Sequence, residues 1–228
     1  MYLNRFTLKI KPYGIDNSFL KGKPLSMIEE FFFHLMPKKV NMNGYGFFTL
    51  NFFTEDQSEN KISAGGQIID FNYQEHIINP DKFTNLTTEQ QFNWFLDAIE
   101  SVLQEIDLHF EIDKDKFDIA LATCRENWPI RFEEKLKTSK THKSRKLKLD
   151  FVRVLEYTGE SILYRLLDKD NVVLKEQILK EDSSIYDARY DFKRSKWEND
   201  KMLIFDRFDR QILEIDVSNY INNCIEHQ

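Results

Sequence analysis

The hydrophobic repeat changes along this chain, and that change constrains the fold more than any other feature of the sequence. Between residues 87 and 128 apolar residues recur at every third or fourth position, which is the spacing of an amphipathic helix. Between residues 149 and 217 apolar and polar residues alternate, as they do in half-buried strands. The sequence therefore predicts an α+β protein in which helices and strands are segregated along the chain.

The first half is predicted to combine strands with two to four helices. Residues 4–11 alternate between apolar and polar side chains, and residues 45–54 are rich in phenylalanine, so both predict strands. Residues 61–73 predict another strand, which the Gly65-Gly66 pair interrupts with a bulge or a close approach of the backbone.

Two capping boxes predict where helices begin in this half. Ser26 and Glu29 have the spacing of the first box, and Thr87 or Thr88 with a glutamine three positions later forms the second. The second box precedes the longest helical repeat in the sequence, so we expect the main helix of the first half to follow it.

The second half is predicted to be a mostly antiparallel β meander that ends in a short helix capped by Ser218. Turn residues such as Gly159, Asn171 and Asp209 recur at regular intervals between the alternating segments. The predicted strands cover residues 149–156, 161–167, 172–179, 186–193, 202–208 and 211–217.

These predictions divide the chain into an α+β region at residues 1–136, a basic loop or joint at 137–148 and an antiparallel β region at 149–228. One continuous domain that contains both regions stays open as an alternative, because 228 residues suit one large domain or two small ones.

Charge is distributed unevenly around the predicted joint. The chain has a net charge of −6, yet residues 89–134 carry −8 and residues 135–148 carry +7. We interpret the basic segment as a solvated loop or joint, with contact to an acidic partner or to nucleic acid as alternatives. Its acidic flanks and its lack of aromatic residues argue against nucleic acid as the main partner.

Targeting signals and cysteine use indicate a cytoplasmic protein. The amino terminus lacks the apolar stretch of a secretion signal, and no apolar run approaches the roughly 20 residues that span a bilayer. Cys124 and Cys224 lie 100 positions apart and outside any CxxC pair, so we expect reduced thiols and no membrane contact.

Motifs of nucleotide binding and nucleophilic catalysis are absent from the sequence. There is no GxxxxGK[ST], GxGxxG or GxSxG, so we assign no catalytic residue and expect no cofactor. Asp107, His109 and Glu111 have ligand-like spacing, but the segment is acidic throughout and we assign no metal site. A hydrolase whose carboxylate site assembles only in the fold stays open, and its candidates are Asp182, Asp187, Asp191, Asp206 and Asp209.

The strongest candidate site is a partner-binding surface in which aromatic, arginine and aspartate residues are interleaved. Such residues anchor protein interfaces. The surface consists of Tyr186, Asp187, Arg189, Tyr190, Asp191 and Trp197.

The function that follows is a non-catalytic protein-binding module that holds a protein partner, and an acidic chain suits a basic one. Bacterial immunity proteins, which act as inhibitors of a cognate toxin, fit this general description, although no motif assigns the chain to a family. The alternatives are a hydrolase with a carboxylate-based site and nucleic-acid binding through residues 135–148.

Overall fold

The computed structural model describes residues 2–12, 14, 16–21, 24–56, 61–129, 131–157, 159–181 and 191–223. The chain divides into two compact units, Met1–Ile130 and Arg131–Gln228. The first unit combines a mixed sheet with helices, and the second is built from antiparallel sheets. The predicted α+β class is therefore confirmed.

The first unit contains a four-stranded sheet in the order β1-β2-β4-β3. Strands β1, β2 and β4 are parallel, and β3 pairs with β4 in antiparallel orientation. The central strand β2 is an almost continuous apolar run that is buried on both faces, as expected for the middle of a parallel sheet. The strands are β1 Arg5–Lys11, β2 Phe47–Phe53, β3 Ile62–Gly65 and β4 Ile68–Asn72.

Four helices lie in the described part of the first unit, and their aromatic side chains share its core with those of the strands. The side chain of Thr87 accepts a hydrogen bond from the backbone N–H of Gln90, and the side chain of Gln90 accepts one from the backbone N–H of Thr87. The second predicted capping box is therefore confirmed. The ring of Phe52 in β2 packs 5.0 Å from that of Phe95, centroid to centroid. The helices are α1 Pro24–Leu35, α2 Pro80–Asn85, α3 Thr88–His109 and α4 Lys114–Glu126.

The first predicted capping box does not form, because helix α1 begins two residues before Ser26. Pro24 starts the helix, which suits a residue whose ring fixes φ and whose missing N–H would have no partner there. Glu29 consequently lies inside the helix, and its carboxylate accepts a hydrogen bond from the backbone N–H of Leu8 in β1.

The predicted bulge at Gly65-Gly66 is wrong. These glycines end β3 and begin a tight turn into β4, so two short strands replace the single predicted one. Gly66 has a φ of 60°, a left-handed conformation that glycine adopts without a steric cost.

The second unit contains two antiparallel sheets, so the predicted meander is divided rather than continuous. The larger sheet has the order β5-β7-β8-β9, with β6 paired to β7, and the smaller has the order β10-β11-β12. The larger sheet consists of β5 Arg131–Lys135, β6 Lys140–Thr141, β7 Leu147–Glu156, β8 Gly159–Asp168 and β9 Val173–Lys180. The smaller consists of β10 Arg194–Glu198, β11 Lys201–Phe205 and β12 Gln211–Asp216, and helix α5, Ser218–Asn223, follows.

One apolar core joins the two sheets of the second unit. Leu149 and Phe151 of β7 and Tyr164 of β8 project into it from the larger sheet, and Met202 and Ile204 of β11 project from the smaller. The alternation in these strands therefore sends one set of side chains to the core and leaves the other set on the outer face of the larger sheet.

The strand predicted at residues 186–193 falls mainly outside the described residues, and its last residues, 191–193, precede β10 without strand geometry. Within the described ranges, none of the helices combines the length and apolar character needed to cross a bilayer.

Candidate partner-binding pocket

A pocket of 430 Å³ opens on the outer face of the larger sheet, beside the connection between β7 and β8. Its walls bring together four carboxyl groups and one guanidinium, and its floor is apolar. Glu156, Glu160, Glu176, Glu181 and Arg131 form the charged part, and Val154, Leu163 and Ile178 form the apolar part, with Gly159 and Ser161 at one end.

Strand register explains why these side chains meet. Arg131 of β5 lies directly opposite Glu156 of β7, and Leu163 of β8 lies opposite Ile178 of β9. Directly opposed residues in antiparallel strands share a face and stand about 5 Å apart at Cβ. The pocket is thus assembled by pairing four strands, and no single segment of the sequence contains it.

The floor and rim of the pocket differ in exposure. Val154 and Leu163 are buried, whereas Ile178 is 50% exposed. Val173 lies on the same face at the start of β9 and is also half exposed, and Glu176 lies between it and Ile178. A bound group would therefore find apolar surface beside the carboxylates.

Ion pairs fix the charged side chains beside the pocket. Arg131 contacts Glu156 and lies 2.9 Å from Glu133, and Arg165 reaches across β7 to Glu133 at 2.7 Å. Arg165 also pairs with Glu176. Two arginines and three glutamates thus form a connected network on the outer face.

The network determines the protonation of its members. Hydrogen bonds from Arg165 and then Arg131 lower the pKa of Glu133 to about 2, despite an opposing effect of burial. Hydrogen bonds to Glu133 and Glu176 in turn raise the pKa of Arg165. At neutral pH Glu133 is therefore fully ionised, and it acts as a fixed negative charge rather than as a proton donor.

A second charge cluster lies behind the pocket on the core-facing side. The guanidinium of Arg153 donates to both carboxylate oxygens of Glu160, at 3.0 and 3.3 Å, and to Glu134 at 3.1 Å. The side chains of Arg153 and Glu160 are fully buried. This bidentate pair holds Glu160 at the wall of the pocket and anchors the end of the sheet where the pocket lies.

Sequence reasoning did not identify the pocket residues. The signal was the alternation of opposite charges along single strands, as in Arg131 and Glu133, but such alternation usually marks only a solvated face. Pairing between the strands brings these charged residues together into a site, and the register of that pairing cannot be predicted from the sequence.

Most of the predicted partner-binding surface lies outside the described residues, namely Tyr186, Asp187, Arg189 and Tyr190. The structure describes its other two members. Asp191 accepts a hydrogen bond from Lys180 at 2.7 Å.

Trp197, the last member, lies on β10 and packs against the shared core of the second unit. Its ring meets that of buried His142 edge-on, with centroids 4.7 Å apart. Trp197 therefore contributes to packing within the unit, while Asp191 is half exposed at its surface.

The basic segment forms part of the second unit. Asp150 pairs with both Lys135, at 2.6 Å, and Lys148, at 3.1 Å. Lys140 donates to the backbone carbonyl of Ser195 in β10. Three of the seven cations thus have partners within the unit, and β6 gives part of the segment strand geometry.

Metal ligands and reactive thiols do not converge in the described ranges. Asp107 and His109 lie in the last turn of α3 and Glu111 follows it, and no group of three described His, Cys, Asp or Glu residues could hold a metal ion. Cys124 is buried in α4, and burial raises the pKa of its thiol to about 12, so the thiolate that would react is scarce.

Comparisons with known proteins give no match. No protein-family model matches this chain, and neither a curated protein nor a solved structure shows significant similarity to it. Function must therefore be inferred from the pocket and its surroundings.

Proposed function

We propose that this chain is a non-catalytic protein-binding module that holds a basic protein partner, as immunity and inhibitor proteins hold a toxin. The observation that supports it best is the pocket of the second unit, in which four carboxyl groups surround an apolar floor. Such a pocket suits a lysine or arginine side chain, whose aliphatic stem packs on apolar surface while its charged head meets carboxylates.

The charge state of the site supports recognition rather than proton transfer. A hydrolase that uses two carboxyl groups needs one of them protonated near neutral pH, which requires a raised pKa. Arg165 and Arg131 have the opposite effect on the neighbouring Glu133, whose pKa they lower, and they also pair with Glu176 and Glu156. Ionised carboxylates in fixed positions attract cations and steer them to the site.

The hydrolase alternative has weaker support. Glu29 has a pKa raised to about 7, chiefly by burial, which is the range of a general acid. Its carboxylate, however, is bonded to the backbone of β1. Nucleic-acid binding also has weaker support, because residues 137–148 offer no aromatic ring on which a base could stack.

Partner capture with matched variants tests the proposal. The tagged wild-type chain and two triple variants are each incubated with extract of the native host, and the complexes are analysed by native mass spectrometry. The pocket variant is Glu156→Gln, Glu176→Gln and Glu181→Gln, and the control variant removes three exposed charges from the first unit through Glu89→Gln, Asp107→Asn and Glu126→Gln.

The wild type and the control variant should retain one basic protein at fixed stoichiometry. The pocket variant should bind that protein at least about tenfold more weakly, since close charge pairs across an interface are coupled by about 1.5 kcal/mol or more and about 1.4 kcal/mol is a tenfold change in affinity. Equal affinity of the pocket and control variants for the captured partner would exclude the pocket as its site.

A further inference from the structure

A tight turn at residues 42–45 precedes the central strand β2 of the first unit. Asn43 and Gly44 occupy its two central positions with φ values of 48° and 83°, and the backbone N–H of Tyr45 donates to the carbonyl oxygen of Met42 at 2.8 Å. Positive φ at both central positions is the signature of a type I′ turn, for which asparagine followed by glycine is a preferred pair. Asn43 is the only asparagine in the sequence that glycine follows.

Both groups of this pair that could react with each other are accessible. The side chain of Asn43 is exposed, and it makes no hydrogen bond with any residue that the structure describes. The backbone N–H of Gly44 likewise has no acceptor among the described residues. A Cβ placed on Gly44 would meet no atom within 4 Å, so the space around this residue is open.

An asparagine side chain can lose its amide without an enzyme. The backbone nitrogen of the next residue attacks the carbonyl carbon of the side chain, a succinimide ring forms, and the side-chain nitrogen leaves as ammonia with the proton of that backbone nitrogen. Water then opens the ring at either carbonyl, which gives aspartate or isoaspartate. Glycine in the second position favours the attack, because it has no side chain to obstruct it and its backbone turns freely.

Two other asparagines with positive φ lack these conditions. Asn171 has a φ of 63°, but the next residue is the β-branched Val172, and its N–H donates to the carboxylate of Asp168 at 2.8 Å. Asn199 has a φ of 52°, but Asp200 follows it and places a side chain beside the nitrogen that would attack. The turn conformation alone therefore does not create the reactive pair.

Asn17 provides a contrast at an exposed position. The next residue is the small Ser18, but the backbone N–H of Ser18 donates to the carboxylate of Asp16 at 2.8 Å. A neighbouring carboxylate opposes loss of the N–H proton, which the attack requires. Of these four asparagines, Asn43 is the one that has both an unhindered next residue and an unengaged backbone nitrogen.

We propose that Asn43 is a site of spontaneous modification, at which attack by the nitrogen of Gly44 converts the asparagine to aspartate or isoaspartate. Either product adds a negative charge to the turn, and isoaspartate also lengthens the main chain by one carbon atom. The longer chain cannot keep the type I′ geometry, so the hydrogen bond from Tyr45 to Met42 is lost. This inference is independent of the proposed function, because the turn belongs to the first unit.

The consequence for the first unit is local. The ring of Tyr45 meets that of Phe110 edge-on, with centroids 5.9 Å apart, just after the end of α3. Formation of isoaspartate should therefore loosen the contact between this turn and the end of α3, and leave the four-stranded sheet paired.

Ageing of the full chain with matched variants tests the proposal. The wild type, Asn43→Gly and Asn17→Gly are incubated for days in heavy-oxygen water at mildly alkaline pH, both folded and in denaturant. Peptide mass spectrometry with electron-transfer fragmentation then locates each lost amide and distinguishes aspartate from isoaspartate. Asn43→Gly retains a glycine pair that suits a type I′ turn but has no side chain to react.

The folded wild type should lose the amide of Asn43 before that of any other asparagine that the structure describes, and take up heavy oxygen there. Asn17→Gly should lose the amide of Asn43 at the rate of the wild type. Hydrogen exchange at the N–H of Tyr45 should accelerate in the aged wild type and remain unchanged in aged Asn43→Gly.

Amide loss that begins at Asn17, Asn171 or Asn199 would overturn the inference. So would a folded wild type that keeps the amide of Asn43 while the denatured chain loses it, because the turn would then protect the pair. Equal acceleration of hydrogen exchange in aged Asn43→Gly would show that the loosening does not come from isoaspartate.

Discussion

In the first unit the carboxyl group of Glu29 is partly buried and accepts a hydrogen bond from the backbone N–H of Leu8, and burial raises its pKa to about 7. In the second unit arginines surround the carboxylates. Arg153 bonds Glu160 and Glu134, while two other arginines lower the pKa of Glu133 to about 2. Burial dominates the first case and ion pairing dominates the second.

This difference predicts opposite responses of the two units to pH. A carboxyl group with a raised pKa binds its proton more tightly in the folded state, so folding is favoured at low pH and loses stability as pH rises. A carboxyl group with a lowered pKa behaves in the reverse way, and its contribution is lost as pH falls. Each unit can therefore be destabilised separately, and the variants below test that separation in order of decreasing effect.

The largest effect is expected for Arg153→Leu, which leaves the buried carboxylate of Glu160 without its bidentate partner. Removing one member of a buried pair costs about 3–5 kcal/mol of unfolding free energy. The measurement is denaturant unfolding followed by hydrogen exchange, which reports each unit separately. Arg165→Leu, which removes an outer and partly exposed guanidinium, should cost less than about 1 kcal/mol.

The double variant Arg153→Leu with Glu160→Leu distinguishes a buried charge from a packing defect. It should recover most of the lost stability, because no unpaired charge remains in the core. If the double variant were as unstable as Arg153→Leu alone, the cost would come from packing and the comparison between the units would fail.

The next effect concerns Glu29. Between pH 4.5 and about 7 the folded state of the first unit holds a proton that the unfolded chain has released, so the unit should lose roughly 2–3 kcal/mol over this interval. Arg5, Lys9 and Glu30 lie near this carboxyl group, and their charges modulate its pKa in opposite directions.

Glu29→Gln keeps the shape and the acceptor oxygen but does not titrate. The pH dependence of the first unit between pH 4.5 and 7 should flatten in this variant and remain in Glu89→Gln, an exposed change on α3. Hydrogen exchange at pH 5 and at pH 8, corrected for intrinsic rates, provides the measurement. A Glu29→Gln variant with the slope of the wild type would show that another group titrates.

The smallest effect is expected for Glu133. Its contribution to the second unit should be present above pH 4.5 and disappear as pH falls toward 2, so Glu133→Gln should reduce the acid sensitivity of this unit. The network is partly solvated, which limits the change to less than about 1 kcal/mol. Acid unfolding monitored in the second unit at low and high salt would detect it, and high salt should diminish it.

Features that join residues close together in the sequence could be predicted, whereas features that join distant residues could not. The capping box at Thr87 and Gln90 joins residues three positions apart, so it could be predicted. The capping box predicted at Ser26 is wrong because helix α1 begins earlier, at Pro24. Glu29 instead accepts a hydrogen bond from the backbone of Leu8 in β1, 21 positions away. A local sequence pattern fails to predict the structure where a tertiary contact contributes more free energy than the local interaction.

The candidate site was missed for the same reason. Arg131 and Glu156 are 25 positions apart and meet only through strand pairing. Arg153 was the more readable case, because it occupies a core-facing position in the alternation that contains Leu149, Phe151 and Leu155. A charged residue in such a position signals a buried ion pair, although its partner must be found in the fold.

The turn at Asp206, between β11 and β12, bears on the order in which the second unit folds. Its hydrogen bonds join residues no more than four positions apart, so this turn can form on the microsecond timescale of an isolated hairpin. The pairing of β5 with β7 instead joins residues that are 17 positions apart at Lys135 and Val152 and 25 positions apart at Arg131 and Glu156, so it closes a longer segment of chain. We therefore expect the β11–β12 hairpin to be structured before the pocket exists.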